Sequence, residues 1–290
     1  MQIPRFWEKQ TAEGVDSGGN HVSAGGWGWS ETSVEEARRR AQQSARRVLN
    51  WLIGGDSVGQ PPDHYGYDER LPREEIIDEY NDESGLPHAF ISRNAYGSLI
   101  LNTRDLMFID IDLPPQRRPS LWGRIATWFG KQEGVPADPV ATVAAKIRMT
   151  ASRFTDLGFR IYRTLNGFRV LVANQPMLPD SPRSQQLLAE FDTDPLYVRM
   201  CKNQQCFRAR LTPKAWRCQI PMPPSRFPFT DAASEAEYRD WEQTYSDKTR
   251  SFSTCKLVDV IGPDVIDERV AGLVEIHDQL TKANATQPLA

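Results

Sequence analysis

The sequence predicts an α+β protein, a mixed and largely antiparallel sheet with flanking helices. Three observations lead there. Segments that alternate with period two are interleaved with segments of helical period along the whole chain. Short turn signals join the alternating segments, so neighbouring strands form hairpins rather than parallel crossovers. The 290 residues, 39% hydrophobic and 25% charged with eight Trp, suffice for a sizeable core and lie far from a disordered composition.

Residues 1–30, Gly-rich and Trp-bearing through DSGGNHVSAGGWGWS, read as an irregular leader anchored by Trp7, Trp27 and Trp29. A helix follows. Thr32 with Glu35, or Ser33 with Glu36, fits a capping box. Val34, Ala37, Ala41, Ala45, Val48 and Leu52 make its apolar stripe, and Gly54 and Gly55 end it. Its other positions hold Arg38, Arg39, Arg40, Arg46 and Arg47, a solvated face on one reading and a nucleic-acid contact on the other. Residues 56–75 read as a loop, overlapping a short helix around Glu74–Tyr80. HAFISRNAYGSLILNTRDLMFIDIDL alternates like strands, with turns at Asn94–Gly97 and Asn102–Asp105. This predicts an antiparallel pair or triple with the Asp-bearing strand inside the sheet.

A Pro- and Arg-bearing insertion covers 114–137. Val140, Val143, Ala144, Ile147, Ala151 and Phe154 predict a helix from Pro139 to Leu157. In FRIYRTLNGFRVLVA, Asn166-Gly167 between two alternating runs is a strong hairpin signal. Residues 183–191 read as helical. A strand over CFRARL puts Arg208 and Arg210 on one face and Phe207, Ala209 and Leu211 on the other. A helix over Ala233–Tyr245, a strand CKLVDVIG and an amphipathic helix over 264–283 complete the chain. The expected organisation is a leader and helical region over 1–85, an α/β core carrying the chemistry over 86–220, and a helix–strand–helix over 221–290 completing the same globule.

The net charge of −3 is no global basic signature, so any anion-binding surface is local. No apolar run approaches the ~18–20 residues of a membrane span. The opening MQIPRFWEKQ has no apolar signal core, and the reading is a cytoplasmic chain without a membrane partner. Cys201, Cys206 and Cys218 lack the paired C-x2-C knuckles of zinc sites and have no His nearby; with Cys255 they read as packed thiols ahead of a zinc site.

The chemistry concentrates in three pieces: Asp110 and Asp112 in FIDIDL, a hairpin with Thr164, Gly167 and Arg169, and Asp192 ahead of an arginine-rich strand. On one strand face the first two carboxylates stand about 6–7 Å apart, which requires a cation, an arginine partner or a solvated edge. Arg163 and Arg169 are the arginines available for a structural ion network, and Asp259 is an alternative third carboxylate. Arg208 and Arg210 have a comparable bland reading, pairing with the acidic stretch REEIIDEYNDE. Carboxylates without histidine suit Mg²⁺ or Mn²⁺, and guanidinium and ammonium groups suit phosphate, which together point to phosphoryl chemistry.

The order FIDIDL, YRTLNGFRVLV, FDTDPLYVRMCKNQQCFRARLTPK resembles the archaeo-eukaryotic primase superfamily, especially the primase-polymerases, over about residues 88–218. The resemblance implies an RRM-like core in which Asp110, Asp112 and Asp192 are catalytic and hold Mg²⁺ or Mn²⁺. It implies nucleotide contacts from Thr164, Arg169, Arg208, Arg210 and Lys214, with Arg217 beside them. The implied activity is nucleotidyl transfer from a nucleoside triphosphate to DNA or RNA. The family's hairpin histidine has no counterpart here; Arg169 stands in its place. The whole chain is also similar to a group of bacterial proteins with the same CFRARLTPK run, a likeness that implies no activity. The alternatives are hydrolysis by the same acids, as in a nuclease or phosphohydrolase, and an inactive module binding nucleic acid or a protein, with residues 1–85 as the protein-partner surface.

Overall fold

The structure, a computed structural model, describes residues 1, 3–54, 71–114 and 138–290. In chain order it contains β1 (Phe6–Val15), β2 (His21–Ser30), α1 (Val34–Gly54), β3 (Glu75–Asn81), β4 (Pro87–Arg93), β5 (Leu99–Thr103) and β6 (Met107–Asp112). There follow α2 (Pro139–Ala151), β7 (Phe159–Thr164), β8 (Gly167–Val172), α3 (Pro182–Glu190), α4 (Pro195–Gln204) and β9 (Phe207–Arg210). A 3₁₀ turn (Ala215–Cys218), α5 (Ala232–Thr249), β10 (Cys255–Ile261) and α6 (Glu268–Thr281) complete it. All strand pairings in the sheets are antiparallel, in keeping with the α+β class. The expected loop over 56–75 lies outside the described residues as far as residue 70, as does the expected insertion from residue 115. Among the described residues no helix is long and apolar enough to cross a membrane. The chain divides into two units, Met1–Arg104 with Arg199–Phe252, and Asp105–Val198 with Ser253–Ala290.

In the first unit the expected irregular leader is a hairpin of two ten-residue strands, β1 against β2, covered by α1. Glycine is a poor strand former, which is why the sequence reads as irregular. Here it is a packing requirement. A Cβ on Gly26 would lie 2.2 Å from the Ala45 amide nitrogen, and one on Gly28 2.1 Å from the Ala37 carbonyl oxygen. Ala24, Gly26, Gly28 and Ser30 therefore make a flat face that admits the α1 backbone, and α1 answers with Ala37, Ala41, Ser44, Ala45 and Leu49. The helix face is rotated from the predicted stripe: Leu52 is exposed while Ser44 and Leu49 are buried. Ser33 Oγ caps α1 by accepting from the Glu36 amide at 3.1 Å.

The second sheet of this unit runs β3-β4-β5-β9. The short helix expected around Glu74–Tyr80 is instead β3. Its acidic sequence reads locally as helix, but it forms an edge strand, where charge is favoured because it blocks further pairing. Irregular pairing between Ile76 and Asp78 hides its period. In β9, Phe207 and Ala209 are buried and Arg208 and Arg210 are partly exposed, the expected alternation.

The second unit holds the sheet β10-β7-β8-β6. β6–α2–β7 is a split β-α-β unit with β8 inserted between its strands, and β10 adds beside β7. The Asp-bearing β6 does not join β4 and β5, as expected from the turn at Asn102–Asp105; that stretch carries the chain into the other unit. Among the described residues β6 is a sheet edge rather than an interior strand. The hairpin at Asn166-Gly167 is present with its loop one residue earlier, at Leu165–Asn166, because Thr164 pairs with Gly167. Gly167 serves close approach: a Cβ there would lie 2.1 Å from the Ile111 carbonyl oxygen. Helix α4 was not expected, and the boundary between the units passes through it.

Candidate functional site

Asp110 and Asp112 occupy successive rows on one face of the second unit's sheet. One row is Asp110, Arg169 and Tyr162; the next is Asp112, Gly167 and Thr164. The two acids nevertheless have different environments. Arg169 is 2% exposed, and its Nε donates to Asp110 Oδ1 at 2.9 Å. Burial pulls the Arg169 pKa down, but the Asp110 carboxylate overcomes this and the guanidinium stays charged. Behind it lies His277, fully buried, with Nε2 3.3 Å from Arg169 Nη1 and Nδ1 2.9 Å from Asp278 Oδ1. A guanidinium can only donate, so Nε2 accepts and Nδ1–H faces the Asp278 carboxylate. The imidazole is therefore neutral, as its burial, which lowers its pKa, also requires. Burial raises Asp278, but hydrogen bonds from His277 and Tyr162 and the charges of His277 and Arg160 hold it below the usual range.

Cys255 Sγ lies 4.0 Å from His277 Nε2, which makes Cys255, His277 and Asp278 look like a nucleophilic triad. It is not one. Cys255 and His277 have no exposed surface, and burial raises the thiol pKa, so no thiolate faces a substrate. All four cysteines are free and buried, and burial pushes Cys206 up to about 11.

Asp112, by contrast, sits at the exposed end of β6 and lines a pocket of about 350 Å³ with Lys146, Thr150 and Asp192. Ile111, Ile147 and Phe191 supply apolar wall. Lys146 Nζ donates to Asp192 Oδ2 at 3.1 Å. The position of Asp192 follows from how α3 ends. The Thr193 amide donates to the Leu188 carbonyl and the Asp192 amide to the Ala189 carbonyl, each at 3.1 Å, which is the Schellman closure. That closure needs a left-handed residue, usually glycine; Asp192 takes it with φ 54°. A charged residue thus occupies a strained position that points it out of the helix end. Lys146 was not identified from sequence. It flanks the Val143/Ile147 stripe of α2, and only the tertiary approach of α3 reveals its partner.

The remaining predicted residues lie elsewhere. Thr164 ends β7 and is not among the pocket-lining residues; its carbonyl accepts from Arg163. Asp259 on β10 accepts from Arg148 Nε at 2.5 Å. Arg208, Arg210 and Lys214 belong to the first unit. Arg208 Nη2 donates to both Glu74 oxygens, at 2.6 and 2.7 Å, with both side chains largely buried. Burial lowers the Arg208 pKa, and the Glu74 charge more than offsets it. This is the pairing with the acidic stretch 73–83. Arg210 is half-buried, and Lys214 Nζ lies 5.2 Å from the Trp216 ring centroid, within cation–π range.

Asp112 and Asp192 are thus brought together, Asp110 is held by Arg169, and Arg208 by Glu74. Among the described residues no group of three or more His, Cys, Asp or Glu is gathered to hold a metal. Two carboxylates on one pocket do fit a magnesium-type ion, which is typically held by one or two carboxylates plus substrate phosphates. No family model, curated protein or solved structure matches the chain.

Proposed function

We propose that the pocket at the end of β6 binds the polyphosphate of a nucleoside triphosphate with one divalent cation and supports nucleotidyl transfer to DNA or RNA in the cytoplasm. The observation that carries this reading is the meeting of Asp112 and Asp192, distant in sequence, on one pocket with Lys146. Its volume of about 350 Å³ suits a small ligand. Asp112 and Asp192 would hold Mg²⁺ or Mn²⁺, which would neutralise charge developing on the transferring phosphoryl group. Lys146 would turn from Asp192 to a phosphate oxygen as a point charge. The order of acids and hairpin shared with the primase-polymerases favours transfer over hydrolysis.

A second reading has its own support. Asp110, one of the resemblance's three ligands, is paired with Arg169, which stands where that family has histidine. This favours a module that binds triphosphate or nucleic acid without catalysis. One experiment separates the readings: protein, primed template, Mn²⁺ and labelled triphosphates, with calorimetric titration of the triphosphate alongside. Extension that disappears in Asp112→Asn supports transfer. Triphosphate binding without extension supports the module. Shortened strands without triphosphate consumption support hydrolysis, and absence of both binding and turnover sinks all three uses of the pocket.

A further inference from the structure

We infer that the outward face of α1 is a docking surface for the phosphate backbone of nucleic acid. This goes beyond the pocket: α1 lies outside residues 88–218, on which the primase resemblance rests, and the inference needs no catalysis. From Arg38 to Asn50 the exposed positions of α1 are Arg38, Arg39, Gln42, Gln43, Arg46, Arg47 and Asn50. No acidic residue follows Glu36 in the helix, although the chain as a whole carries −3. The N-terminal arginines have protein partners: Arg38 lies 3.6 Å from Glu8, and Arg39 and Arg40 lie 3.9 and 2.6 Å from Glu36. Arg46 and Arg47 are exposed and make no ion pair among the described residues.

The opposite side of the helix explains why this face is fixed. Gly26 and Gly28 seat the α1 backbone directly on β2, so the helix cannot roll without driving its own atoms into the strand. The guanidiniums therefore stand on a rigid support, two turns or about 10–11 Å separating Arg39 from Arg46 along the axis. The chemistry of the face selects the partner. Guanidinium binds phosphate with bidentate geometry, and Gln42, Gln43 and Asn50 add neutral donors between the charges. A membrane surface would require apolar side chains on the same face, and the outward positions from Arg38 to Asn50 have none.

The test is fluorescence anisotropy of the full chain with a labelled DNA duplex and the matching single strand, over a range of KCl and with no triphosphate. Because each neutralised phosphate contributes about 0.9 to the log–log salt slope on duplex and about 0.7 on a single strand, Arg46→Gln/Arg47→Gln should lower the slope by roughly 1.8 on duplex or 1.4 on single strand. The tighter-bound of the two at a given KCl concentration is the preferred form. Arg46→Lys/Arg47→Lys keeps the charges and should keep the slope. Arg250→Gln, an exposed arginine on another part of the unit, should bind as the parent does. Thermal denaturation checks that each variant is folded. The inference is overturned if the parent binds neither nucleic acid, or if the double glutamine variant keeps its slope and affinity. It is also overturned if polyglutamate or phosphatidylserine vesicles bind with the same dependence on Arg46 and Arg47. A catalytic failure of the pocket leaves these results untouched, since no turnover is read.

Discussion

Asp110 and Asp112 are two residues apart and of one chemical type, yet replacing each by asparagine should give opposite phenotypes. Asp110→Asn leaves Arg169 at 2% exposure without its carboxylate. Removing one partner of a fully buried pair costs roughly 3–5 kcal/mol. The Asp110 side chain is 44% exposed, so water already screens part of the interaction. His277 Nε2 also still accepts from Arg169. Discounting for both, the loss should be about 1.5–2.5 kcal/mol. Asp112→Asn, on an exposed position, should change stability by less than about 0.5 kcal/mol while abolishing Mn²⁺-dependent triphosphate binding. Urea denaturation followed by tryptophan fluorescence measures the first effect, and calorimetric titration the second. Arg169→Met with Asp110→Asn removes both charges together and should recover part of the lost stability, since no charge stays buried without its partner but His277 Nε2 loses its donor. If Asp110→Asn is as stable as the parent, or if Asp112→Asn destabilises equally, the assignment of one acid to the fold and the other to the pocket is wrong.

Asp192→Gly should stabilise the protein by about 1 kcal/mol, by relieving a left-handed non-glycine residue, and should at the same time eliminate ligand binding at the pocket; denaturation and titration on one preparation read both. His277 gives a pH prediction. Its folded pKa lies below the unfolded value of about 6.5, so the unfolded chain binds the extra proton. Stability is full above about 6.5 and falls as pH drops below it, and His277→Gln should flatten that part of a urea-midpoint profile. Gly26→Ala and Gly28→Ala should each cost about 2 kcal/mol or more, because their Cβ atoms meet backbone rather than movable side chain. Gly25→Ala, whose Cβ would lie 3.5 Å from Lys9 Cε, should be tolerated, as thermal denaturation of the three variants would show.

The elements that the sequence displays most clearly are those whose signal is local. The stripe of α2, the alternation of β9 and the hairpin between β7 and β8 emerge from periodicity and turn chemistry alone, although α2 stops at Ala151 rather than Leu157 and the hairpin loop lies one residue early. The elements that were misread depend on distant partners. β2 is a strand because α1 lies where its missing Cβ atoms would be, and β3 because β4 offers it an edge. The candidate site divides the same way. An acidic pair in an apolar run is visible at once, as is the choice it presents between a cation and an arginine. Arg169 is legible both as a partner for the acids and as the residue standing where the resembled family has a histidine.

By itself the sequence determined the α+β class, most of the helices and strands, and the residues able to carry charge chemistry. Only the tertiary structure decided which of those charges meet one another and which line the pocket. Strand register put Arg169 opposite Asp110 and withdrew that acid into the fold. The left-handed end of α3 and the approach of α2 put Asp192 and Lys146 beside Asp112. The reason is physical. Backbone preference acts over a few residues and is written locally, whereas the pairing of charges depends on separations of a few ångströms between segments that the chain sequence leaves far apart.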